Sequence, residues 1–165
     1  MILVGVNPPK KLQEVFIKLI AEDPSIIVLT ETTSNLCHPN FFSSIDQLIT
    51  PLDATDFEAF EPDLLLTFGG MIVSKKIKTF LRSNPPKTHW HIDPVVANDT
   101  FFCLTKHFKC QINTFFKELK NSSFSYPVST YFETWNHVRD RRIQRHKEYV
   151  DSIPFSDFKV FDSVL

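Results

Sequence analysis

The chain has 165 residues and a formal net charge of −1, with 18 Lys and Arg against 19 Asp and Glu. This length suits one ordinary domain with a single core, and the balanced charge excludes the basic excess of a phosphate-neutralising nucleic-acid binder. No apolar run reaches the roughly 20 residues that span a bilayer. Met1-Ile-Leu-Val-Gly-Val6 also lacks the basic start and small-residue cleavage site of a signal peptide, so a cytoplasmic protein is expected.

Phenylalanine occurs 17 times and glycine only three times, where average glycine usage is about 7%. So many phenylalanines must mostly be core. Loops that cradle phosphates need glycine for close backbone approach, and Gly5 and Gly69-Gly70 provide neither a glycine-rich dinucleotide fingerprint nor a P-loop. Cys37, Cys103 and Cys110 are odd in number and lack CxxC spacing. That argues against a disulfide framework and a cysteine zinc site, leaving three reduced thiols.

In chain order, residues 2–6 form a continuous apolar run that suits a strand buried on both faces. Pro8-Pro9 precedes a helix whose apolar stripe is Leu12, Val15, Phe16, Leu19 and Ile20, at i, i+3, i+4, i+7 and i+8. Asp23-Pro24 ends it, and residues 25–30 are a second β-branched run. Strand, helix and strand in 30 residues make a βαβ unit with parallel strands and a right-handed crossover. Residues 41–49 read as a helix, and a short helical turn surrounds Phe57 and Phe60. Residues 63–68 are a third strand and Gly69-Gly70 a tight turn. Residues 74–83 follow as a helix with Ile77, Phe80 and Leu81 inward. Residues 88–92 form a fourth strand ending at Asp93-Pro94, residues 100–107 a fifth, and residues 112–120 a helix. The alternation predicts an α/β doubly wound, mainly parallel sheet of about five or six strands with helices on both faces.

From Asn121 the texture changes. Residues 121–127 are linker-like, and residues 129–149 form a polar helix anchored by Tyr131 and Trp135. Its basic residues suit a solvated face better than a binding patch. Phe155, Phe158, Val160 and Phe161 then have nothing after them to pack against. The expected division is a central α/β domain at 1–120, a linker and polar helix at 121–150, and the start of a further domain at 151–165.

In an open α/β sheet, ligands bind beyond the carboxyl ends of the strands. Three post-strand segments therefore carry candidate chemistry. Lys75 and Lys76 open a helix whose macrodipole disfavours cations, so an anion there would gain both amides and ammonium groups. The alternative is two solvated lysines. His89 and His91 point to one side of their strand. They could share a metal, but no third ligand stands at a suitable spacing, and a strand with one wet face and Asp93 at its ligand end is the simpler reading. Glu31-Thr-Thr-Ser-Asn35 could bind a ligand or cap the next element. Cys37 beside His38 leaves a small hydrolase as a further alternative, which requires spatial contact rather than adjacency.

Three stretches resemble a known family: Leu64-Leu-Leu-Thr-Phe-Gly-Gly-Met-Ile-Val-Ser-Lys-Lys-Ile-Lys78, Thr88-His-Trp-His-Ile-Asp-Pro94, and Ile27-Val-Leu-Thr-Glu-Thr-Thr-Ser-Asn35 with His38-Pro-Asn-Phe-Phe42. The family is the thiamine-diphosphate-dependent 2-succinyl-5-enolpyruvyl-6-hydroxy-3-cyclohexene-1-carboxylate synthase of menaquinone biosynthesis. The resemblance implies the Rossmann-like central domain of a cytoplasmic, homo-oligomeric transferase with three domains. That enzyme would use thiamine diphosphate and Mg2+ to decarboxylate 2-oxoglutarate and add the succinyl carbanion equivalent to isochorismate. Lys75 and Lys76 fall on the family's basic pair at the active-site entrance. Lys76 stands where members often have arginine, and lysine is a point charge rather than a fork. The family's activating glutamate lies in the preceding domain. Its glycine-aspartate-glycine metal signature lies in the following one, whose start residues 156–161 resemble. By this implication the segment holds no catalytic residue, cofactor or metal and is inactive without its flanking domains. A standalone, non-catalytic α/β module binding a nucleotide or protein is the alternative.

Overall fold

Each short apolar run is followed by a segment that returns across the sheet, so the strands can only pair in parallel. The computed structural model describes residues 1–122 and 128–164. β1 (Ile2–Val4), β2 (Val28–Thr30), β3 (Leu64–Phe68), β4 (Thr88–Ile92) and β5 (Leu104–Phe108) form one parallel sheet in the order β2-β1-β3-β4-β5. Helices α1 (Glu14–Ala21) and α5 (Ile112–Asn121) cover one face, where Phe16, Ile17 and Ile20 meet Phe115, Phe116 and the strand residues Ile2, Val4, Leu66 and Phe68. The other face takes α2 (Ile45–Ile49), α3 (Ala54–Phe60), α4 (Lys75–Ser83) and the start of α6 (Tyr131–Ser152), packed on Leu3, Leu29 and Leu65. This is the doubly wound α/β fold expected. None of the described helices is long and apolar enough to cross a membrane.

The structure alters four local readings. Residues 41 and 42 are not helical: the Phe42 N–H donates to Val28 O at 2.8 Å and its carbonyl accepts from Thr30 N–H at 3.0 Å. This extended backbone sends Phe41 into one core and Phe42 into the other, which a helix could not do. In α1, Val15 is exposed and Ile17 buried. The 8–13 loop is pinned to α5 by the bond from Gln13 N–H to Asn113 Oδ1, so the helix starts at Glu14 and its inward stripe turns to Phe16, Ile17, Ile20 and Ala21. β5 starts at Leu104 rather than residue 100, because the Asp99 carboxylate holds the Cys103 and Leu104 amides in a turn.

The fourth change concerns the histidines. His89 and His91 do share a side of β4, but only His91 is partly exposed there. His89 is only 1% exposed, packed edge-on against Phe101. Thr67 Oγ1 lies 2.8 Å from both His89 Nε2 and His91 Nδ1. Burial, and secondarily the neighbouring His91, lowers the His89 pKa from 6.5 to about 4, with Asp99 acting the other way.

The polar helix is docked chiefly through its first two turns. Trp135 is fully buried, edge-on to Phe42, Phe60 and Tyr131, and the Tyr131 hydroxyl donates to Phe60 O at 3.0 Å. Beyond it, α7 (Asp157–Val164) buries no residue. Phe155 and Phe161 stay exposed, while Phe158 packs beside His146 and Tyr149. Of the linker-like stretch 121–127, residues 123–127 lie outside the described residues.

The tightest backbone approach joins β1 to β3 just past their ends. Gly70 N–H donates to Val6 O at 2.7 Å, and Val6 N–H to Met71 O at 3.1 Å. A Cβ on Gly5 would stand 2.1 Å from Gly70 O, and Gly69, at φ +82°, would place one 2.9 Å from Val6 O. Gly70 itself has 3.5 Å of clearance.

Two predictions follow from this packing. Gly5→Ala should destabilise by about 3 kcal/mol or more, since backbone must move to admit the methyl group, while Gly70→Ala stays within about 1 kcal/mol; urea unfolding midpoints compare them. The second concerns pH. His89 is held neutral when folded and protonates more readily when unfolded, so stability is complete above pH 6.5 and falls as pH drops toward the folded value of about 4. The loss is about 3 kcal/mol at about 1.4 kcal/mol per pH unit. Unfolding curves across that window should show the slope, and His89→Gln should flatten it.

Candidate functional site

With strand order β2-β1-β3-β4-β5, the chain reverses direction across the sheet between β1 and β3. The carboxyl ends of β1, β3 and β4 open there into a cavity of about 580 Å³, at the topological switch point where open α/β sheets take ligands. The glycine crossing forms one wall. Thr67, His89 and His91 approach from the sheet, Lys78 and Arg82 from α4, Lys11 from the loop before α1, and Asp93 from the end of β4.

Lys75 and Lys76 lie elsewhere. They are exposed in the first turn of α4 and do not line the cavity. At 3.6 residues per turn, Lys76 and Lys78 leave the helix about 160° apart, so they serve opposite flanks. The N-terminus of α4 is already provided for. The Glu31 carboxylate accepts from Val73 N–H at 2.9 Å and Ser74 N–H at 2.6 Å. Ser74 Oγ accepts from Ile77 N–H and donates to Asp46. A carboxylate at this position offsets the two lysines and fills the amide site that an outside anion would otherwise occupy.

The other candidates bond mainly to neighbouring backbone. In the Glu31-to-Asn35 loop, Ser34 Oγ donates to Val4 O at 2.6 Å and Asn35 Nδ2 to Asn7 O at 2.7 Å. The loop therefore laces β2 to the end of β1, as a cap does. Asp93 Oδ1 accepts from Val95 and Val96 N–H. Burial alone would raise its pKa, but these amides, with His91 and His107, hold it below the ordinary carboxylate value. His38 Nδ1 accepts from Asn40 N–H and its ring packs on Phe41, while Cys37 is exposed. Among the described residues, no three His, Cys, Asp or Glu side chains converge on a metal position.

The cavity cations Lys11, Lys78 and Arg82 are not among the sequence candidates. Lys78 and Arg82 had a readable signal, their i, i+4 spacing on a helix whose buried stripe is Ile77, Phe80 and Leu81. Lys11 had none, because the 8–13 loop is placed by Asn113, far along the chain.

No family model matches the chain. Curated proteins named 2-succinyl-5-enolpyruvyl-6-hydroxy-3-cyclohexene-1-carboxylate synthase do match it. The chain is 49% identical to the one from Flavobacterium johnsoniae over all 165 residues. It is 46% identical to that from Flavobacterium psychrophilum and 45% to that from Christiangramia forsetii, covering 100% and 99% of this chain. It spans about 30% of the length of these relatives. The chain belongs to the family of these synthases, and corresponds over its whole length to one segment of them.

Proposed function

We propose that the chain is the central segment of a thiamine-diphosphate-dependent synthase of menaquinone biosynthesis. That enzyme would decarboxylate 2-oxoglutarate and add the succinyl unit to isochorismate. The observation that carries this reading is 49% identity, unbroken over the whole segment, to a synthase whose name specifies that product. A succinyl group, an enolpyruvyl group and a ring carboxylate together make a polyanionic product, so its precursors need cations near the reacting centre. Lys75 and Lys76, exposed and on a helix end whose amides Glu31 already occupies, are free to present ammonium groups to such a substrate. Their role is to draw in and orient carboxylates, as point charges rather than bidentate forks.

Thiamine diphosphate would supply the acyl-carbanion chemistry. This segment does not fit it. All three glycines are confined to the β1–β3 crossing, leaving no loop able to wrap a diphosphate, and no acidic cluster among the described residues could hold Mg2+. We therefore assign cofactor and metal to flanking polypeptide, with residues 121–150 as the connection and residues 151–165 as the start of the diphosphate-binding domain. We also take the whole enzyme to be a cytoplasmic homo-oligomer.

In the complete enzyme, Lys75→Gln with Lys76→Gln should lower kcat/KM for the anionic substrates by about tenfold or more, the equivalent of one lost charge-assisted contact. The thermal midpoint should stay unchanged; an unaltered kcat/KM would remove the pair from the substrate path. Residues 1–165 alone, titrated calorimetrically with thiamine diphosphate and Mg2+, should give no binding heat. Tight binding would place the cofactor site inside this segment.

A further inference from the structure

The switch-point cavity holds a second set of donors, on the opposite flank of α4 from Lys76. Lys78 and Arg82 lie four residues apart, about 40° around the helix axis at 3.6 residues per turn, and both border the cavity. Like charges at this spacing repel. Among the described residues, neither forms an ion pair with a carboxylate.

Both heads are held rather than loose. Lys78 Nζ donates to Ile72 O at 3.1 Å, and Arg82 Nε donates to Thr100 O at 2.9 Å. The guanidinium also stacks 4.8 Å over the Phe102 ring. Phe102 adopts φ +61° and is 75% exposed. A bulky side chain in the left-handed region is strained. Thr100 occupies Arg82 at Nε alone, so both Nη groups have no hydrogen-bond partner among the described residues. Of the acids nearby, Asp93 lines the same cavity, and one oxygen of each is bound to backbone amides. Asp93 Oδ1 holds the Val95 and Val96 amides, and Asp99 Oδ1 those of Cys103 and Leu104.

The sheet adds a neutral donor. Thr67 Oγ1 has no hydrogen-bond partner but these two rings among the described residues, so its single proton is used only if one ring accepts it and the other donates to the oxygen. His89 Nδ1 is buried with no partner. A buried orphan N–H is costlier than an orphan lone pair, so His89 carries its proton on Nε2 and donates to Thr67. Thr67 then donates to His91 Nδ1, which leaves His91 with its N–H on Nε2. This is the ring nitrogen not bound to Thr67, on a half-buried side chain that borders the cavity.

We propose that Arg82, Lys78 and His91 form a binding site for a small oxyanion, the carboxylate or phosphate group of a metabolite, at the switch point and separate from Lys75 and Lys76. The guanidinium offers a fork, the ammonium a point charge and the imidazole a directed N–H. The site does not depend on the synthase reading, and either can fail without the other.

The test is calorimetric titration of the purified full-length protein with sodium phosphate and, separately, sodium succinate at constant ionic strength. Saturable binding of at least one anion is expected, and the two arms separate phosphate from carboxylate. Arg82→Gln and Lys78→Gln should each weaken it at least about tenfold. In the same titrations the His91 ring resonances should move in the parent and not in Arg82→Gln. Three results would overturn the site: no saturable binding of either anion, binding indifferent to Arg82 and Lys78, or binding lost only with Lys75 and Lys76.

Discussion

Two main chains pass within hydrogen-bond distance at the ends of β1 and β3, and much of the molecule is arranged by that approach. Gly70 N–H on Val6 O, and Val6 N–H on Met71 O, continue the parallel ladder past the strands into what would otherwise be two diverging loops. A Cβ at Gly5 or Gly69 would collide with the facing backbone, and a chain with only three glycines places all of them at this crossing. The crossing fixes where residue 71 leaves the sheet. That position, in turn, fixes the start of α4 at Lys75, with Ser74 as its cap.

α4 is electrostatically unusual. Its nine residues include Lys75, Lys76, Lys78 and Arg82 and no acid, although a helix N-terminus repels cations. The compensation comes from outside the helix. Glu31, delivered by the loop after β2, holds the amides of Val73 and Ser74, and Asp46 from α2 takes the Ser74 hydroxyl. With the dipole answered internally, the cations are left to act outward. The helical repeat turns Lys76 about 160° from Lys78, while Lys75 lies only about 20° around the axis from Arg82 but about two turns nearer the N-terminus, outside the cavity lining. One short helix can thereby serve two different anionic environments.

Most of the framework was legible in the sequence, because local signals and tertiary demands agree there. The β3–glycine–α4 passage is the clearest case: an apolar run, a Gly-Gly turn, a serine cap and an inward Ile77, Phe80 and Leu81. Reading fails where a distant residue decides. Phe41 and Phe42 match a helical pattern, but Phe42 pairs with β2, and Val15 fits the stripe until Asn113 fixes where α1 begins. His89 reads as part of a wet strand face, whereas β5 and Phe101 enclose it. The same limit applies to the site. Lys75 and Lys76 stand out as a pair beside a turn, but the cavity cations become a group only once the loop carrying Lys11 is folded against α5.

A hydroxyl shared by two imidazoles inside an otherwise apolar layer calls for a physical reason. Apolar residues of similar size at Thr67 and His89 would remove the acid sensitivity and the orphan nitrogen together. What they could not supply is a defined proton position on His91. A lone half-exposed imidazole carries its proton on either nitrogen, so its donor direction is ambiguous. Burying His89 with only one satisfied nitrogen makes one arrangement of the Thr67 proton cheaper than the other, and this fixes the polarity of the whole chain. His107 follows the same logic: its Nε2 lies 2.7 Å from Asp93 O, a carbonyl that can only accept, so that nitrogen must carry the proton. The seam is therefore a means of orienting N–H groups at the ligand-facing edge of the sheet, and the stability it costs falls in a pH range below neutrality.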